Sequence, residues 1–145
     1  MDIHEFDALK LENQLCFPLY ACSKEIIRRY KPLLDPLDLT YTQYIALMVL
    51  WEKEKTSVKE LGEALYLDSG TLSPVLKKLE NKNYIIRTRS HEDERSVFIT
   101  LTNKGLALRK EAVVIPTKMG SCINLEPQEA AEMNRLLLKV LAGLE

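Results

Sequence analysis

Between Ser57 and Leu101 the apolar residues change their period from helical to extended, and few folds accommodate that change over so short a stretch. Ser57-Val-Lys-Glu60 fits a capping box, with Ser at the N-cap and Glu three positions on. Val58, Leu61, Ala64 and Leu65 carry a short helix to about Tyr66, and Leu67-Asp68 makes a turn. The next stretch, Asp68 to Asn83, reads D-S-G-T-L-S-P-V-L-K-K-L-E-N-K-N. It opens with capping residues, and Leu72, Val75, Leu76 and Leu79 then recur at intervals of three and four. Pro74 is expected near the first turn of this helix, where its missing N–H costs little. Two short helices across such a turn make a helix-turn-helix. Tyr84–Arg89 and Val97–Leu101 follow as β-favouring runs around a polar tip, S-H-E-D-E-R-S. A hairpin placed directly after the second helix is a wing. The order helix, helix, strand, charged loop, strand is more specific than any one of its parts.

Such a unit meets nucleic acid through its second helix, which enters the major groove. Ser69, Thr71 and Ser73 are expected to reach base edges or phosphates, and Asp68 to order the turn. Lys77, Lys78 and Lys82 would neutralise backbone charge, and Arg87 in the first strand is taken with Lys77 and Lys78 as DNA-binding. Net charge is only −1, but it is unevenly spread. Thr56 to Lys110 holds ten Lys/Arg against seven Asp/Glu, whereas both flanks are acidic. Tyr66 and Tyr84, close to the two helices, are expected in the core.

The flanks read as helices. Leu9 to Leu34 carries a broken apolar stripe, in which Pro18 marks a kink or a true start nearby, and Pro32 and Pro36 end it. Thr40 to Glu54, capped by Thr40 or Thr42, is apolar almost all round and should be central. After Thr102 or Asn103 a helix runs through Ile115, with Pro116 near its middle or end. Gly120 to Asn124 breaks it, and Glu126 to Leu144 is the last helix. The 145 residues suit one domain, 1–145, mainly α with a small β-hairpin. Residues 57–101 form the winged helix-turn-helix. Segments 1–34 and 102–145 hold more apolar surface than a lone wing unit covers, and are expected to form a dimerisation layer.

No uncharged apolar run spans a membrane and the N-terminus is acidic, so a cytoplasmic protein is expected. No phosphate loop, metal-ligand spacing or acid/base pair appears, so neither a cofactor nor a metal is expected, nor an enzyme. Three cysteines without regular spacing do not make a disulfide framework. Cys16, on an apolar helix, reads either as a small buried hydrophobe or as a sensor thiolate. Tyr20 lies four residues on, on the same face, and Tyr30, Tyr41 and Tyr44 are further hydrogen-bonding candidates or plain core. Cys22 is turned about 600° from Cys16 and about 9 Å along the axis, beyond disulfide reach, and is expected to pack.

Four segments carry a resemblance over nearly the full length: L-E-N-Q-L-C-F-P-L-Y (Leu11 to Tyr20), L-T-Y-T-Q-Y (Leu39 to Tyr44), L-Y-L-D-S-G-T-L-S-P-V-L-K-K-L-E (Leu65 to Glu80) and D-E-R-S-V (Asp93 to Val97). The chain resembles the MarR family of winged-helix repressors, and looks closest to the OhrR-type members that sense organic hydroperoxides. The resemblance implies a homodimer on a palindromic A·T-rich duplex, with Arg95 in the minor groove and Asp93 orienting it through a salt bridge. It implies that Cys16 attacks the peroxide, and that Tyr30 and Tyr41 of the partner subunit hydrogen-bond its thiolate. It also implies a disulfide from Cys16 to Cys122 of the other subunit. An inert Cys122, with a small thiol capping Cys16, is the alternative. Two rival readings are a MarR-type repressor released by a small aromatic ligand, and a thiol peroxidase using Cys16 and Cys122.

Overall fold

The computed structural model describes residues 4–93 and 95–145. Glu94, in the D-E-R motif of the tip, and residues 1–3 lie outside them. The chain divides into two compact units, Met1–Val113 and Val114–Glu145.

In the first unit two 3₁₀ turns, Asp7–Leu9 and Leu11–Asn13, precede helix α1, Cys16–Leu34. The long helix expected from Leu9 therefore starts at Cys16. Pro18 falls in its first turn, where the missing N–H has no helical partner to lose. Pro32, expected to end the helix, lies inside its last turn instead. A 3₁₀ turn, Asp35–Leu37, leads to Asp38 in the left-handed region (φ 54°), a conformation that Asp tolerates. Helix α2, Tyr41–Lys53, begins with a full capping box between Thr40 and Gln43. It supplies the centre of the core: Ala46, Leu47 and Leu50 are fully buried.

Lys55–Ser57 is a strand, β1, which the sequence reading passed over. Helix α3 (Val58–Leu65), helix α4 (Ser69–Asn81), strand β2 (Ile85–Arg89) and strand β3 (Val97–Leu101) follow in the expected order. β3 is the middle strand, antiparallel to both neighbours. Arg87 faces Ile99 in one ladder and Thr56 faces Ile99 in the other. Ser57 caps α3 by accepting from the Glu60 N–H at 3.1 Å. The second half of the box is replaced: the Glu60 carboxylate accepts from the Thr56 hydroxyl at 3.2 Å. Leu61, Leu72, Leu76, Leu79, Ile85 and Ile99 close the core between helices and sheet.

Helix α5, Asn103–Ala112, is capped by Thr102 and stops before the expected Ile115. It packs into this unit, with Trp51 Nε1 donating to the Gly105 carbonyl at 2.9 Å. A Cβ at Gly105 would overlap the Tyr84 carbonyl oxygen and lie 2.7 Å from Leu101 Cδ1. The helix approaches the β2 entry that closely because residue 105 has no side chain.

In the second unit Pro116 starts a helix instead of interrupting one, sitting in the first turn of α6 (Ile115–Gly120). A turn through Cys122 leads to α7, Pro127–Leu144, in which no residue is buried. No helix among the described residues is long and apolar enough to cross a membrane.

Candidate nucleic-acid interface and thiol site

The first turn of α4 is built by Asp68. Its carboxylate accepts the Thr71 N–H at 2.7 Å, capping the helix. This bond, with further ones from the Thr71 side chain and the Gly70 N–H, holds the Asp68 carboxyl below the usual aspartate range. Ser69, Thr71 and Ser73 are all exposed on this end. The Ser73 hydroxyl donates to the Ser69 carbonyl at 2.8 Å, so its oxygen is left as an acceptor. An acceptor suits a base N–H donor, not a phosphate oxygen. Pro74 is the sixth residue of α4, one turn deeper than expected. It deletes the helical bond to the Gly70 carbonyl. Lys77 and Lys78 are exposed further along the helix.

Arg87 is half-buried and engaged. Its Nε and one terminal nitrogen donate to the two Glu80 oxygens at 3.3 and 3.0 Å. This fork ties β2 to α4 and holds the Glu80 carboxyl below its usual range. At the tip, Asp93 accepts the Arg95 backbone N–H at 3.0 Å and the Ser96 hydroxyl at 3.2 Å. The Ser90 hydroxyl accepts from the Glu92 and Asp93 N–H groups. The expected Asp93–Arg95 salt bridge is not among the ion pairs of the described residues. Asp93 shapes the turn through the backbone, and the Arg95 side chain is exposed.

Cys16, Cys22 and Cys122 are free thiols, and all three are exposed within the single chain. Cys16 is the first residue of α1. Cys22 does not pack in this chain, contrary to expectation, because α1 buries only Leu34. Tyr20 is 63% exposed beside Cys16 on the same face. Tyr30 and Tyr41 pack at a 50° tilt with ring centroids 4.9 Å apart, and Tyr44 joins them at 5.8 Å from Tyr30. Burial, and then the neighbouring Tyr41, push the Tyr30 phenol up, so it keeps its proton as a donor. Tyr30 lies fourteen residues beyond Cys16 on α1, about 21 Å along the axis. Within one subunit they do not meet. Tyr66, expected in the core, is 55% exposed, because its left-handed backbone (φ 56°) turns it out at the C-terminus of α3.

Sequence reasoning left Gln43 unassigned, and it grouped Lys82 with the lysines that neutralise DNA backbone charge. Gln43 is buried, and the Lys82 ammonium donates to its side-chain oxygen at 3.1 Å. Lys82 also donates to the Asp38 carbonyl. The partners are 39 and 44 residues away, a separation at which no local spacing announces a contact.

A family model described as transcriptional regulator SarA/Rot matches residues 28–111. The chain is 53% identical over 142 residues to the organic hydroperoxide resistance transcriptional regulator of Bacillus subtilis, covering 98% of this chain and 95% of that one. The solved structure of reduced AbfR bound to DNA superposes with a TM-score of 0.81 at 32% identity, over 95% of this chain and 94% of that one. Disulfide-formed AbfR superposes with a TM-score of 0.66 at the same identity, over 93% of this chain and 95% of that one. The chain is thus more similar to the reduced, DNA-bound form of that protein than to its disulfide form.

Proposed function

The chain belongs to the MarR and SarA/Rot family of winged-helix transcriptional regulators, and from that premise we propose that it represses transcription until organic hydroperoxide oxidises Cys16. It is a DNA-binding regulator and not an enzyme. The observation that carries the peroxide reading is the 53% identity to an organic hydroperoxide resistance regulator, in a chain whose Cys16 is exposed.

In this reading the Cys16 thiolate attacks the terminal oxygen of R–O–O–H. The O–O bond breaks, sulfur gives up two electrons to become Cys–S–OH, and the alkoxide leaves and takes up a proton as alcohol. The Cys122 thiol of the partner subunit then attacks the sulfenic sulfur, forming a disulfide and releasing water. The protonated Tyr30 phenol, with Tyr41 against it, is a donor for a thiolate brought by the partner chain. The distance along α1 from Cys16 to Tyr30 favours contact between subunits over contact within one. The cytoplasm, where thiols stay reduced, suits such a sensor.

On DNA, α4 enters the major groove of a palindromic A·T-rich duplex with Ser69, Thr71 and Ser73 leading. Lys77 and Lys78 meet phosphates, and Arg95 reaches the minor groove. Arg87 acts through its Glu80 fork by holding wing and helix together. The decisive measurement is a gel shift on the wild type and on Cys16→Ser, with and without cumene hydroperoxide. Wild type should release the duplex while Cys16→Ser holds it. Release by both would end the sensor assignment.

A further inference from the structure

The Lys82 ammonium links the start of α2, where Tyr41 lies, to the C-terminal end of α4. Tyr41 is the first residue of α2, directly after the Thr40 N-cap. The Gln43 side-chain oxygen accepts the Thr40 N–H at 3.2 Å and the Lys82 ammonium at 3.1 Å. Gln43 is 2% exposed, so this shared oxygen is not easily replaced by water. The same ammonium donates to the Asp38 carbonyl and lies 3.5 Å from its carboxylate. Asp38 is the left-handed residue that turns the chain from α1 toward α2. Lys82 is itself the C-cap of α4, and its carbonyl accepts from Lys104 at 2.9 Å. The Lys104 ammonium sits 5.0 Å over the Tyr84 ring at the entry to β2.

We propose that Lys82, held by Gln43 and Asp38, is a positioning residue that transmits displacement of the Tyr30–Tyr41 pair to α4 and the wing. The inference rests on the redox reading above. A shift at the start of α2 moves Gln43 and the Asp38 corner together, and the ammonium carries both to the far end of the recognition helix. Lys82 is 26% exposed at its side chain, which fits a strut between elements better than a phosphate ligand. Substitutions on such a connection change coupling by about 2- to 30-fold.

The test is the ratio of duplex affinities of reduced and cumene-hydroperoxide-oxidised protein, for wild type, Lys82→Met and Lys82→Arg, with Cys16 oxidation confirmed by mass in each. Met keeps the length and loses the charge. Lys82→Met should oxidise normally and show a ratio reduced about 2- to 30-fold, with Arg restoring most of it. A purely structural role lowers thermal stability and both affinities while leaving the ratio unchanged, and a direct phosphate contact lowers both affinities and the salt slope by about one. Either outcome overturns the proposal. If wild type itself shows no ratio, the redox reading fails instead, so the two failures are told apart.

Discussion

Asp68 serves two ends with one carboxylate: it caps α4 and it fixes the first turn whose hydroxyls face outward. Its folded-state pKa lies below its unfolded value, so the unfolded chain binds more protons as pH falls through the aspartate range. Its contribution is therefore complete above that range and disappears on acidification. Asn caps about as well without titrating. Asp68→Asn should match wild type near neutral pH and lose less stability between about pH 5 and 2, measured by urea unfolding across that range. Identical acid limbs would mean that the cap carboxylate is not what titrates. Arg95 poses a different residue-scale question, because its guanidinium is exposed and its backbone is held by Asp93. Arg95→Ala should weaken duplex binding about tenfold and lower the salt slope by about one. Unaltered binding would take the wing out of the interface.

The elements that announced themselves in the sequence are those whose determinants are local. Asp68, Ser57 and Thr102 cap where a polar residue precedes an apolar helical period. β1 gave no such sign, since Lys55-Thr-Ser57 has no apolar alternation and is a strand only because β3 lies beside it. The prolines were legible as punctuation, and Pro18 also as a nearby start, but Pro32, Pro74 and Pro116 were not legible as position. Pro18 and Pro116 lie in the first turns of helices that have no side-chain cap, whereas Pro32 and Pro74 sit inside helices, α4 being capped ahead of Pro74 by Asp68. The Glu80–Arg87 fork and the Lys82 bridge were invisible because each crosses a turn or a fold. Gly105 is another such case, a helix residue whose need for no side chain comes from Tyr84, on another element. Gly105→Ala should drive α5 away from the β2 entry and cost about 1–3 kcal/mol despite the better helix propensity of Ala, read as a lower urea midpoint. A neutral or stabilised variant would show that α5 has room to move.

At the scale of the whole molecule, the single chain is left with apolar surface that a regulator of this size does not leave in water. Phe17, Tyr20, Ile26 and Ile27 on α1, and Met133, Leu136, Leu138, Val140 and Leu144 on α7, are exposed. Helix α7 spans eighteen residues without one buried side chain, yet an amphipathic helix is stabilised chiefly by covering its apolar face. In the proposed dimer a second copy would cover such a face, and a two-fold operator presents its half-sites about 34 Å apart, one turn of duplex. In the proposed reading, the same dimer would let Cys16 of one subunit approach the tyrosine pair of the other. Leu136→Glu places a charge where the partner helix would pack. It should turn a dimer into a monomer by sedimentation, and remove the dependence of the thermal midpoint on protein concentration. Binding to the full palindrome should weaken by about 100-fold or more, toward the affinity for one half-site, because the second contact is no longer intramolecular. Cumene hydroperoxide should still form a sulfenic acid at Cys16 in that variant, but without disulfide to Cys122. A monomeric wild type, or a Leu136→Glu dimer that still binds the palindrome fully, would leave α7 without the role assigned to it.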